Sequence, residues 1–231
     1  MAQKINPISF RLGVIQVWNS LLQIYGKSFN LYFLILHKYI QVQRFLFKFF
    51  LKNSFLLDHQ EWKIRRNSIL LNLYCFHLPD TRKLPSEVLL KRISVVLLQW
   101  LKIKSYVYFY IKTKEVPTAD LIIFYTKDLI QRNTSSKRII WNLCRLLESH
   151  INLCKVSYFK NGFIKIRLKG FKVRLSGRIE GSKNQIAKST EHIIGLLPLT
   201  SLNSYVEYKS EDIYTKSGTC GLQVWLFYEL S

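Results

Sequence analysis

The chain has 231 residues, 35 Lys plus Arg against 14 Asp plus Glu, a formal net charge of +21 and a sequence pI near 9.9. Such an excess calls for a polyanionic partner, and its spread along the whole chain, with no single juxtamembrane block, favours nucleic acid over a lipid surface. With 48% hydrophobic and 14% aromatic residues, a disordered basic tail is excluded, and the length suits one large domain or two small ones.

Residues 1–28 read as an irregular arm, with Asn6-Pro7 as a turn signal and Arg11-Leu12-Gly13 as a second break. The opening residues have neither the apolar run of a secretory signal nor the Arg/Ser-rich pattern of a transit peptide. Phe, Leu, Ile, Tyr, Lys and Asn are abundant and Ala, Gly and Pro scarce, as AT-rich codon drift produces. Both features give the expectation of a protein made inside an organelle. The apolar run Leu31–Leu36 is broken by His37, Lys38 and Arg44, too soon for a membrane span of roughly 20 residues.

From Leu36 to Lys52 apolar residues recur at helical spacing with Lys or Arg between them, which predicts a basic amphipathic helix. Trp62–Leu78 mixes β-branched and aromatic residues over strand-sized lengths and predicts one or two strands ending at Pro79-Asp80. Ser86–Lys102, preceded by Pro85, predicts a helix with apolar positions Val88, Leu89, Ile93, Val96, Leu97 and Trp100. Ser105–Lys114 alternates and predicts a strand, closed by Val116-Pro117-Thr118. Thr118–Gln131 predicts a helix, and Ser135 or Ser136 can N-cap a second one, SKRIIWNLCRLLES. From Lys155 onward, short alternating runs separated by glycine-containing turns predict a β-meander. The fold class is therefore α+β: an N-terminal arm (1–35), a small α+β domain (36–116), and a C-terminal α+β domain of two helices plus an antiparallel sheet (117–231).

Cys75, Cys144, Cys154 and Cys220 contain no C-x-x-C pair and read as core thiols, not zinc ligands. His37, His59, His77, His150 and His192 form no H-E-x-x-H or Ser/His/Asp grouping. Gly177 and Gly181 read as turn glycines, since no phosphate-loop pattern accompanies them. Nothing here calls for a cofactor, a metal, a small-molecule substrate or a catalytic assignment.

Two segments carry a family resemblance. Gln3-Lys4-Ile5-Asn6-Pro7-Ile8-Ser9-Phe10-Arg11-Leu12-Gly13, with Trp18 following, resembles the opening of the ribosomal protein S-three family. Gly170-Phe171-Lys172-Val173-Arg174-Leu175-Ser176-Gly177-Arg178-Ile179-Glu180-Gly181 and Gly218-Thr219-Cys220-Gly221-Leu222-Gln223-Val224-Trp225-Leu226-Phe227 are similar to its closing motifs. The likeness covers residues 1–20 and 118–230, and the middle by its order of elements. The resemblance implies a type II KH domain in that middle, whose Gly-x-x-Gly loop grips single-stranded RNA. At the matching position this chain reads Pro79-Asp80-Thr81-Arg82-Lys83-Leu84-Pro85, without glycine, so a degenerate KH-like shell is expected.

The resemblance also implies partners: small-subunit rRNA, mRNA on its way into the ribosome, and neighbouring head proteins such as S-ten and S-fourteen. Gln3, Lys4, Asn6 and Arg11 are expected along rRNA, with a solvated terminus as the other reading. Arg132, Lys137 and Arg138 match in type the family's basic residues facing incoming mRNA, although Trp141 stands where a further basic residue is usual. A solvated helix face is the plain reading of these three. Lys172, Arg174 and Arg178 alternate along a strand and are expected on a face toward RNA or a neighbouring protein, with Phe171, Val173 and Leu175 in the core. Trp225 and Phe227, with Val224 and Leu226, are expected in the core. The function implied is a structural constituent of the small ribosomal subunit, mitochondrial or alternatively plastid. The competing classes are an organellar intron-associated RNA maturase, which should carry paired acidic metal ligands, and a free RNA-binding regulator.

Overall fold

The computed structural model describes residues 5–17, 29–53, 55–64, 68–77, 86–102, 104–111, 117–132, 134–159, 162–178, 187–215 and 218–230. They belong to two units: one formed by Met1–Asn19 with Glu115–Ser231, the other by Ser20–Lys114.

In the Ser20–Lys114 unit, helix α2 (Phe29–Lys52) precedes a hairpin of β1 (Phe55–Ile64) and β2 (Ser68–His77), then helix α3 (Ser86–Leu101) and strand β3 (Lys104–Ile111). The sheet order is β1-β2-β3, with β1 antiparallel and β3 parallel to β2. Parallel neighbours need a crossover of a dozen or more residues, and the stretch containing α3 supplies it. Both helices carry apolar residues one turn apart, Val42, Leu46 and Phe50 on α2 and Leu89, Ile93, Leu97 and Leu101 on α3, all buried. They share one core with Ile69, Leu71, Leu73 and Cys75, the alternate residues of β2. The other face of β3 leaves Tyr106, Tyr108 and Tyr110 about half exposed, and Tyr110 stacks on Tyr74 at 5.1 Å.

Several boundaries differ from those read in the sequence. Helix α2 starts at Phe29, not Leu36, so the last residues read as an arm are helical. Phe55–Glu61, unassigned from sequence, is the first part of β1. Val88 and Trp100 of α3 lie at its exposed side, Trp100 edge-on to Phe45 at 5.4 Å. The glycine-free segment at Pro79–Pro85 falls outside the described residues.

In the other unit, the N-terminal segment is not irregular throughout. Asn6 caps a short helix α1 (Pro7–Arg11), its Oδ1 accepting from Ile8 N at 3.0 Å, with Pro7 in the first turn where its missing N–H costs nothing. After Pro117 come α4 (Ala119–Gln131), capped by Thr118, and α5 (Ser136–Glu148). Ser135 occupies the N-cap position of α5, but its side chain makes no capping hydrogen bond. Strands β4 (Cys154–Phe159), β5 (Gly162–Gly177), β6 (Lys188–Gly195), β7 (Ser204–Thr215) and β8 (Gly218–Leu230) follow. The antiparallel path is β4-β5-β8-β7, with β6 pairing the second half of β5. A register shift between Leu168 and Gly170 lets β5 leave β4 and take β6.

Ile122 and Ile123 of α4 and Ile139, Ile140, Leu143 and Leu147 of α5 pack on Leu168, Phe171, Val173, Leu175, Leu222, Val224, Leu226 and Tyr228. Each fully buried side chain of this size contributes roughly 1.5–3 kcal/mol. Phe171, Val173 and Leu175 thus take the core face as expected; Phe227 is also buried, at 5% exposure, though outside the cluster beneath the helices, whereas Trp225 is only partly buried. Their strand alternates, and the helix side is filled by Val224, Leu226 and Tyr228. Trp225 lies on the opposite face beside Tyr208, at 5.1 Å.

Cys75, Cys144 and Cys220 are buried, but Cys154 is exposed, which corrects its reading as a core thiol. Burial raises the pKa of all three buried thiols, most strongly at Cys75, where Asp58 adds to the effect. Since the thiolate is the reacting form, iodoacetamide at mildly alkaline pH is expected to label Cys154 in the native protein and the other three only after denaturation. Equal rates at all four, followed by peptide mass mapping, would contradict this packing.

Candidate nucleic-acid interface

The ten polar residues singled out from sequence separate into distinct environments. Gln3 and Lys4 fall outside the described residues. Asn6 is exposed and uses its side-chain oxygen as the α1 cap, leaving its amide hydrogens to solvent or a ligand.

Arg11 is a correction. Its side chain is fully buried. Nε donates to Ser204 O at 3.0 Å, Nη1 to Pro7 O at 3.0 Å, and Nη2 to Leu199 O at 2.9 Å and Ser201 O at 2.6 Å. The planar fork of donors is what allows one side chain to serve carbonyls arriving from several directions. Burial lowers its pKa from the ordinary arginine value, yet a guanidinium stays protonated in a protein. Arg11 therefore holds its own unit together and has no face to offer RNA.

Gln16, which the sequence did not single out, acts alongside it: Nε2 donates to Val206 O at 2.7 Å, and its backbone bridges to Phe159. Strand β7 ends the sheet path, so the carbonyls of Ser204 and Val206 would otherwise form an open edge, and the N-terminal segment covers it. Nearby, Lys155 on β4 pairs with Glu207 on β7 at 2.5 Å, both side chains about 15% exposed, while Glu207 also accepts from Ala119 N at the start of α4. One carboxylate thus ties two strands to a helix N-terminus, where negative charge is favourable.

Lys172 and Arg174 do share the sheet face away from the helices, but they are not free cations. Glu191 on β6 accepts from Lys172 Nζ at 2.7 Å and lies 3.1 Å from Arg174 Nε, and Lys172 also sits over the Trp225 ring at 5.3 Å. Two positive charges and one negative leave this three-residue cluster with a single net positive charge. The sequence could not place Glu191 there, because the pairing is made by register across the β5–β6 ladder. Arg178 is exposed just beyond β5.

The α4–α5 corner is different. Arg132 ends α4, exposed, with one ion pair to Asp128 at 2.9 Å, a contact worth little in solvent. Lys137 and Arg138 are exposed in the first turn of α5, which contains no acidic residue. One turn on, Trp141 is 60% exposed, and one further turn on the Arg145 guanidinium lies over its ring at 5.4 Å. Sequence reading noted Trp141 only as a departure and missed Arg145, though the four-residue spacing on one helix face was visible.

Among the described residues no three His, Cys, Asp or Glu side chains gather as a metal site, and no helix is long and apolar enough to cross a membrane.

The sequence model of the family described as ribosomal protein S3, C-terminal domain, matches residues 155–226. Over 228 residues the chain is 46% identical to the small ribosomal subunit protein uS3m of Chondrus crispus, covering 99% of this chain and 94% of that one. It is 25% identical over 238 residues to the small ribosomal subunit protein uS3 of Carsonella ruddii, covering 98% and 97%, and 28% identical over 234 residues to that of Borrelia duttonii (strain Ly), covering 98% and 75%. The chain belongs to the uS3 family of small ribosomal subunit proteins, and is a structural constituent of the ribosome, not an enzyme. The maturase reading is thereby set aside.

Proposed function

We propose that the chain works in the small subunit of a mitochondrial ribosome, in its head, where it binds rRNA and lines the path by which mRNA enters. The exposed cations Arg132, Lys137 and Arg138 at the α4–α5 corner carry this reading: the first turn of α5 contains no acidic residue, and the Arg132–Asp128 pair is open to solvent on its arginine side. The relative from Chondrus crispus, whose name bears the mitochondrial suffix, supports the compartment. The mechanism is charge neutralisation and positioning: Lys and Arg displace counterions from phosphates without reading sequence, which suits a strand that must slide past. Gln3, Lys4, Asn6 and Arg178 are further rRNA contacts in this reading, and S-ten and S-fourteen its protein neighbours.

The test is sedimentation of mitochondrial lysate at moderate and high salt, joined to cross-linking of 4-thiouridine-labelled mRNA in the assembled subunit. The chain is expected to stay with the small subunit at high salt, and Lys137→Glu with Arg138→Glu to lower its mRNA cross-links several-fold without releasing it. A chain at the top of the gradient in both conditions would instead point to the free regulator.

A further inference from the structure

We propose that Trp141 is a stacking site for a base of single-stranded RNA, with Arg145 on the ring and Lys137 and Arg138 holding the adjoining phosphates. This rests on the reading of the α4–α5 corner as an RNA contact and adds to it a second kind of interaction, π-stacking in place of charge.

The argument starts from what α5 needs in order to fold. Its core side is complete with Ile139, Ile140, Leu143 and Leu147, all at least 95% buried. Trp141 is on the opposite side with 60% of its surface open, so the largest apolar side chain of the helix contributes little to the core. Lys137, Trp141 and Arg145 stand at successive four-residue intervals, one above another along the helix. The Arg145 guanidinium, 5.4 Å from the ring centroid, orients the indole and adds a cation–π contact.

The surroundings of the ring select its occupant. A protein-docking tryptophan is usually ringed by other apolar side chains, whereas the exposed side of α5 presents Lys137, Arg138 and Arg145. The acid on that side, Glu148, lies seven residues beyond Trp141, about two helical turns. An aromatic ring among cations matches a ligand with π-faces joined by negative charges, the description of an unpaired nucleic-acid strand. Stacking accepts every base, so it would steady a passing strand without making it pause at particular sequences.

The experiment uses the full chain and two fluorescent probes of equal length and charge: oligouridylate and a base-free ribose-phosphate oligomer. Trp141→Ala is expected to weaken oligouridylate binding roughly tenfold and to leave the base-free oligomer unchanged, while Trp141→Phe keeps most of the affinity. Lys137→Ala with Arg138→Ala should weaken both probes and lower the slope of log K against log salt by about 0.7 per cation removed. If Trp141→Ala leaves oligouridylate binding intact, or weakens both probes equally, stacking is overturned while the basic corner stands. If neither pair of variants changes either probe, the corner itself is not the RNA contact. Thermal unfolding of the variants, expected within a few degrees of the parent, separates these outcomes from a folding defect.

Discussion

Replacing Arg11 with alanine is expected to destabilise the unit formed by residues 1–19 and 115–231 by about 3–5 kcal/mol, read as a shift in the midpoint of urea unfolding. The substitution removes the donors to four carbonyls, those of Pro7 and Ser204 in buried contacts and those of Leu199 and Ser201 in partly buried ones. Each hydrogen bond to a charged group is worth roughly 1.5–3 kcal/mol, and a buried acceptor left unpaired carries its full desolvation cost. Arg11→Lys should recover only a minor part, because an ammonium is a point donor and cannot span acceptors lying in different directions. RNA affinity of the folded fraction should be unchanged. A variant with parental stability and weakened RNA binding would restore Arg11 to the surface role its sequence position suggests.

Gly177→Ala is expected to cost about 2–5 kcal/mol, from backbone strain and overpacking together. Gly177 has φ +127°, a region L side chains rarely adopt, and an added Cβ would lie 2.5 Å from Thr219 O and 2.9 Å from Cys220 Cα. Those are backbone atoms of the neighbouring strand, so relief requires β5 and β8 to separate. Gly13 is the internal control: it has φ +80° but nothing within 4 Å of a new Cβ, so Gly13→Ala should cost only the strain, roughly 1 kcal/mol. Hydrogen exchange should show lost protection around Gly177–Cys220 in the first variant and not in the second; equal effects would mean that strain alone decides. This refines the reading of Gly177 as a turn glycine, since its demand comes from strand approach as well as conformation.

The sequence made several elements legible because a local pattern determined them. Helices α3, α4 and α5 follow from apolar spacing and capping residues, and β3 from its alternation of tyrosines with residues facing the core. What stayed hidden depended on partners remote in the chain. The start of α2, Phe29 to Ile35, is an apolar run broken only by Asn30, so no periodicity marked it as helical. The first part of β1 contains the polar residues Asp58, His59 and Gln60, which left it unassigned; it becomes a strand by pairing with β2 across a register shift at Asp58. In β8 both faces are apolar, Leu222, Val224, Leu226 and Tyr228 on one and Trp225 and Phe227 on the other, so alternation alone could not say which faces the helices. Of the candidate interface, the cations of the α4–α5 corner were legible as exposed helix residues. The neutralisation of Lys172 and Arg174 by Glu191 was not, because it is a cross-strand event.

The clasp made by Arg11 also sets an order of assembly on the growing chain. Residues 5–17 are synthesised well before the strands they hold, since the carbonyl of Ser204 that Arg11 Nε needs lies 193 residues further on. Until residues 199–204 have been made, the guanidinium has only its local acceptor at Pro7, and the N-terminal segment must wait in a solvated state. Residues 20–114 can meanwhile fold by themselves as a unit, as domains commonly do during synthesis. Closure of the unit formed by residues 1–19 and 115–231 then becomes the last event, so a nascent chain halted before β7 would expose an unclasped segment at residues 5–17, and a protease cutting near Gly13 would tell finished molecules from unfinished ones.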